Sequence, residues 1–146
     1  MTAGAWTLLV SVLAAVLFGV VWRWREGRIR RNETEDSVLN RLPDELAEKI
    51  SADTAPSTQV VLLQLSTAFC APCRHTRILL GDFAQRTEGV QHVEVDLTDH
   101  PEWSEPLGVH RTPTTLVLDR GGRELFRIHG VPRREELTRT LQPLLA

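Results

Sequence analysis

Cysteine is scarce in this sequence: Cys70 and Cys73, three positions apart, are the only two. A disulfide-stapled secreted scaffold spreads more of them along its chain, so that class is excluded. A lone Cys-x-x-Cys reads as a redox pair or as half of a metal site, and its spacing does not choose between the two. A zinc site needs two further ligands. His75 is near, but the other four histidines are scattered and no second ligand pair has a typical spacing. The sequence also lacks a glycine-rich phosphate loop, a nucleophile elbow and any internal repeat. Excess positive charge is missing too. Of 17 basic and 19 acidic side chains, residues 1–31 hold five arginines and one glutamate, which leaves 12 against 18 in residues 32–146. A soluble part this acidic does not suit nucleic-acid binding, which needs clustered Lys and Arg.

No charged side chain occurs from Thr2 to Trp22, a run of 21 residues. At ~1.5 Å per residue that length crosses a hydrocarbon layer of ~30 Å. Trp6 stands near one end and Trp22 and Trp24 at the other, where half-wet indole rings are favoured. Arg23, Arg25, Arg28, Arg30 and Arg31 follow at once. A cleaved signal peptide carries its charge before the apolar run and small residues at the cut, and neither holds here. The pattern predicts a single-pass anchor through residues 2–22. Cationic flanks stay in the cytoplasm, so the N-terminus is expected outside and the rest of the chain in the cytoplasm, an outward-facing domain being the alternative.

Beyond a polar linker starting at Asn32–Glu35, Leu42, Leu46 and Ile50 recur every four residues and predict a modest helix with Pro43 in its first turn. Val60 to Leu65 is a nearly continuous apolar run, as in a strand buried on both faces. From Cys73 to about Arg86, Ile78, Leu79, Phe83 and Ala84 fall at helical spacing. Val90 to Val95 reads as a second strand, and His100 to Leu107 as a short helix at best. Thr114 to Leu118 and Arg123 to His129 form a hairpin around Asp119-Arg120-Gly121-Gly122, and Gly130 breaks the second strand. Pro132 opens a last helix with Leu137, Leu141 and Leu144 on one face. Strands one and two can pair in parallel through a helical crossover, while the last two are antiparallel.

The Cys-x-x-Cys therefore follows a strand and opens a helix. Unpaired N–H groups at a helix start carry partial positive charge and stabilise a thiolate. The thiolate is the nucleophile of disulfide exchange. This assigns Cys70 as the attacking thiol and Cys73, one turn on, as the resolving one, with Ala71-Pro72 tightening the turn between them. Arg74 and His75 sit beside the motif as solvated surface residues.

Phe69-Cys70-Ala71-Pro72-Cys73, Asp96 after the second strand, Thr112-Pro113, Gly121-Gly122 and Gly130 together resemble the thioredoxin superfamily over about residues 60–144. With its apolar segment, the whole chain is similar to membrane-anchored thioredoxin-like proteins of bacteria. The resemblance implies an α/β thioredoxin fold, a mixed central sheet flanked by helices, preceded by a transmembrane helix. Its organisation would be an anchor over 1–24, a basic juxtamembrane segment and linker with a helix over 25–58, and the thioredoxin-like domain over 59–146. It implies a cis Thr112–Pro113 bond, with the backbone of Thr112 pairing with an extended substrate and Phe69, Ala71 and Pro72 lining the contact. It implies a protein-disulfide reductase or related thiol–disulfide oxidoreductase whose only redox group is the Cys70–Cys73 disulfide, with no cofactor and no metal. Partners would be protein or small-molecule disulfides or thiols, and a reductase or oxidant that recycles the pair.

The departures from the family pattern matter as much. Gln64 occupies the place of a buried aspartate six positions before the first cysteine, and an amide cannot act as a base. Its presence is expected to slow resolution by Cys73 and to make the pair more oxidising, or else Gln64 is simply a satisfied core amide. Phe69 replaces tryptophan, Ala71 replaces glycine, His92 stands where the family has a lysine, and Ile78 stands where a proline kinks the active-site helix. Gly130, like Gln64, is read as modulating the site. His92 and His129 are read as structural. Glu135 and Glu136 complement the dipole of the last helix. The competing readings are an interaction module with incidental cysteines, and an outward-facing enzyme acting on extracytoplasmic thiols such as those of apocytochromes.

Overall fold

Seven consecutive residues, Val60–Ser66, are buried without exception, and they form the central strand β2. A computed structural model of the chain describes residues 3–25, 29–31, 38–42 and 44–145. Around β2 it places β1 (Ile29–Arg31), β3 (Val90–Asp96), β4 (Thr114–Asp119) and β5 (Glu124–His129), in the spatial order β1-β5-β4-β2-β3. β2 and β3 are parallel, joined through helix α3 (Ala71–Gln85), while β4 runs antiparallel to both β2 and β5. The crossover is required because parallel neighbours cannot be joined by a tight turn. The Asp119–Gly122 turn works differently. Gly122 has φ +75°, and the Asp119 carboxylate accepts from the N–H groups of Gly121 and Arg123 at 2.9 and 3.0 Å.

Alternation along the strands sends side chains to two cores. On one face Val60, Leu62, Val117 and Ile128 pack with Leu80 and Phe83 of α3 and with Leu137 and Leu141 of helix α4 (Arg134–Leu141). On the other, Val61, Leu63, Leu65 and Leu116 pack with Leu42, Leu46 and Ile50, the last two from helix α2 (Asp44–Asp53). Fully burying one such aliphatic side chain stabilises by ~1.5–3 kcal/mol.

The expected strands and the mixed sheet are present, and three details differ from expectation. The folded unit reaches upstream of residue 59, because Val38, Leu42, Leu46 and Ile50 share a core with the strands. Arg30 and Arg31, read as a juxtamembrane flank, belong to β1, which pairs Ile29 with Ile128 at the sheet edge. Charged residues suit an edge strand, which must not invite further pairing. Pro132 is not in the first turn of α4. It is buried two residues before that helix, which starts at Arg134. The short helix expected between His100 and Leu107 is a single 3-10 turn, Pro101–Trp103. The Asn32–Glu35 linker and Pro43 lie outside the described residues.

Helix α1 spans Ala3–Arg25. Every described position in it is exposed, including Trp6 at 63% and Phe18 at 66%. Among the described residues no helix is long and apolar enough to cross a membrane. The side chains described within α1 are those of Gly4 and residues 6–21, a part of the uncharged run that extends from Thr2 to Trp22.

Candidate active site

Cys70 ends the loop after β2 in an extended conformation (φ −94°, ψ 98°) and is the N-cap of α3. Its sulfur accepts from the Cys73 N–H at 3.2 Å, a donor shared with the Cys70 carbonyl at 3.1 Å, so the sulfur lies at the positive end of the helix. Pro72 stands within the first two helical positions, where a missing N–H costs nothing. α3 thus begins two residues earlier than Cys73, and the pair straddles the helix start as expected. Cys70 and Cys73 are joined as a disulfide with Cα atoms 5.2 Å apart. Their exposures differ. Cys70 is half-buried, whereas Cys73 is 2% exposed. An outside nucleophile or substrate can reach the first sulfur and not the second.

The surroundings expected from the motif come together here. Thr112–Pro113 is cis, and the Gly130 N–H donates to the Pro113 carbonyl at 2.8 Å with Gly130 at φ +78°. The hydroxyls of Thr67 and Thr112 are 3.4 Å apart, which ties the loop before the dithiol to the loop before β4. Phe69, 96% exposed, and the exposed Ala71 and Pro72 form an apolar rim beside Cys70. The same loop is held from β3: the Ala68 N–H donates to Thr98 Oγ1 at 2.7 Å, and Thr98 donates its N–H and hydroxyl to the Asp96 carboxylate. Those two bonds hold the Asp96 carboxyl below its ordinary range. Ile78, in place of a kinking proline, is exposed, and α3 runs unbroken from Ala71 to Gln85.

Behind the dithiol lies a polar cluster, of which the sequence singled out Gln64 and His92. Gln64 is fully buried, and its Nε2 donates to the Cys73 carbonyl at 3.0 Å and to Glu94 Oε1 at 3.4 Å. Its Oε1 lies 3.1 Å from His92 Nε2. Glu94 also accepts from Ser66 Oγ at 2.7 Å and from the Arg77 guanidinium, in part at 2.8 Å. That carboxylate pushes the Arg77 pKa up. Sequence reading missed Glu94. The signal for it was register, since Gln64 pairs with Glu94 once β2 and β3 are parallel. Among the described residues no group of His, Cys, Asp and Glu is placed to hold a metal ion.

The Thioredoxin family model matches residues 38–143. The chain belongs to the thioredoxin family. Its match to Thioredoxin H2-1 of Oryza sativa subsp. japonica is 32% identical over 88 residues, 60% of this chain and 62% of that protein. Thioredoxin of Chlamydia caviae is 29% identical over 85 residues, 58% of this chain and 82% of that one. This chain thus spans less than two thirds of the rice protein's length. Among solved structures, a mutant thioredoxin from Halobacterium salinarum NRC-1 superposes with a TM-score of 0.59 at 18% identity, over 72% of this chain and 87% of that chain, which is a likeness of fold. The family match also starts at residue 38, in agreement with a core that takes in Val38. In this frame the Cys70–Cys73 disulfide has the Cys-x-x-Cys spacing of a thiol–disulfide oxidoreductase, a class whose redox group is the disulfide itself.

Burial is the main cause that lowers the His92 pKa below its ordinary 6.5, with Glu94 opposing and Arg77 adding to the fall. In the unfolded chain the imidazole takes up its proton near 6.5, while the folded ring does so only at lower pH. Stability from this group is therefore complete above about 6.5 and is lost as pH falls from there through the folded value. The urea midpoint of the native protein is expected to drop between about pH 7.5 and about pH 5.5. The drop should be smaller in His92→Gln; equal drops would assign the dependence to other groups.

Proposed function

We propose that this chain is a membrane-tethered protein-disulfide reductase, exchanging two electrons between its Cys70–Cys73 dithiol and disulfides of proteins or small molecules. The observation that carries the reading is the reachable Cys70 sulfur at the start of α3, with Cys73 sealed beneath it and the cis Thr112–Pro113 alongside. In the reduced protein the Cys70 thiolate attacks one sulfur of a substrate disulfide. The substrate S–S bond breaks, a Cys70–substrate mixed disulfide forms, and one substrate thiolate leaves and takes a proton. Cys73 then loses its proton and attacks Cys70. The Cys70–Cys73 bond forms and the second substrate thiolate leaves. Two electrons have passed to the substrate, and a reductase supplies two more to restore the Cys70–Cys73 dithiol. The backbone at Thr112 and the rim of Phe69, Ala71 and Pro72 would hold the extended substrate segment.

With Gln64 in place of an acid, position 64 offers no base to deprotonate Cys73 and no negative charge to oppose a thiolate. The first effect slows resolution, and the second favours the reduced form and a more oxidising couple. The tether is supported by the uncharged Thr2–Trp22 run and by the outward-facing apolar side chains of α1, since a helix apolar all round that is not part of a protein core suits lipid. The five arginines that follow favour the cytoplasmic side for the domain.

Three outcomes are expected. Insulin reduction by the native protein should turn over and fall to background in Cys70→Ser; equal activity in the two would end the enzyme reading. The reduction potential of Gln64→Asp should be lower than that of the native protein, and an unchanged value removes the role given to Gln64. A reporter active only in the cytoplasm, fused after Ala146, should be active in cells; activity only of an extracytoplasmic reporter would turn the domain outward.

A further inference from the structure

Gln64 has a side-chain amide whose every polar atom is engaged, and its partners dictate its orientation. The Cys73 carbonyl and the Glu94 carboxylate can only accept, so both must face Nε2. Oε1 is left toward His92, 3.1 Å away. An amide oxygen only accepts, so His92 Nε2 must carry the hydrogen. The other ring nitrogen, Nδ1, faces α3, where an added Cβ on Gly81 would lie 3.9 Å away. A second ring proton would point at that helix. Burial correspondingly lowers the His92 pKa, and the charges that face the ring, Glu94 of β3 and Arg77 of α3, act in opposite directions on it.

We infer that His92 is a positioning residue for the resolving step: by donating from Nε2 to Gln64 it fixes the amide that grips the Cys73 carbonyl, and so sets how Cys73 is presented to Cys70. The inference rests on the exchange activity proposed above. A reactive group held in the right geometry gains rate through effective concentration, and a small displacement forfeits it. Without the His92 donor, Gln64 Oε1 is buried and unpaired. The amide then turns to find another donor, and the first turn of α3 loses its tie to β2. The attacking step is expected to change little, because the loop that carries Cys70 is held independently of Cys73, through Ala68 to Thr98 and Thr67 to Thr112.

The probe is oxidised glutathione, added to the fully reduced native protein and followed by acid quench and mass spectrometry. Cys70 takes one glutathione as a mixed disulfide and releases the other as thiolate; Cys73 then displaces the second and closes the protein disulfide. In His92→Leu the mixed disulfide is expected to persist about tenfold longer, with the first step within about twofold of native. His92→Gln, which keeps a donor near the same place, should restore the native lifetime. A folded His92→Leu protein with an unchanged lifetime overturns the inference, even if it melts earlier, since a purely structural role predicts that result. Nitrogen NMR of the unmutated protein gives a second test that needs no variant. The ring should be neutral at pH 7 with its hydrogen on Nε2, and a hydrogen on Nδ1 instead overturns the inference. If native protein forms neither mixed disulfide nor protein disulfide, the exchange reading itself has failed, a result distinct from either of these.

Discussion

The end of α3 that carries the dithiol must satisfy two demands at once. One sulfur has to stand at the surface where a substrate can reach it, and the other has to wait one turn inside, close and out of contact with solvent. A helix N-terminus meets both, because its first residue is outside the helix while the residue three positions on is already within it. Cys70 and Cys73 occupy those two places, half-buried and 2% exposed. The arrangement works only while the first turn of α3 stays against the sheet. Apolar packing of Leu80 and Phe83 secures the middle and far part of the helix. The start is secured by a polar bond, Gln64 to the Cys73 carbonyl.

That bond explains why a central strand carries polar side chains on its α3 face. Gln64 and Ser66 of β2 and Glu94 of β3 form a closed set with Arg77 and His92, so the buried donors and acceptors find partners inside the cluster. Buried polar groups are tolerated on that condition. The hydroxyl of Thr115, which pairs with Gln64 across β2 and β4, is the exception: it is the buried side-chain polar atom without a hydrogen bond among the described residues.

The parts that local pattern could reveal were legible in the sequence. Val60 to Leu65 and Thr114 to Leu118 are apolar runs too short for helices, and Cys-Ala-Pro-Cys at a strand-to-helix junction has a physical meaning on its own. What depends on distant pairing was not legible. The strand at Val90 splits its polar residues between both faces, with Gln91 on one side and His92 and Glu94 on the other, so alternation could not say which lay beneath α3. β1 is three residues long, and two of them are arginines that also fit a membrane flank. The helix at Leu46 was visible by its spacing, but nothing local assigns it to the core that Val61 and Leu63 share.

The acid that the family keeps on β2 is absent, yet a carboxylate is close by. Glu94 reaches the same amide from β3, but it is engaged with Arg77 and Ser66. The Gln64 amide, for its part, holds the Cys73 backbone and has no basic atom. The cluster therefore supplies geometry where an acid would supply a base. In a pair built this way, deprotonation of the inner thiol falls to solvent or to the departing substrate thiolate. The resolving rate should then follow the alkalinity of the medium more closely than in a pair with a buried acid.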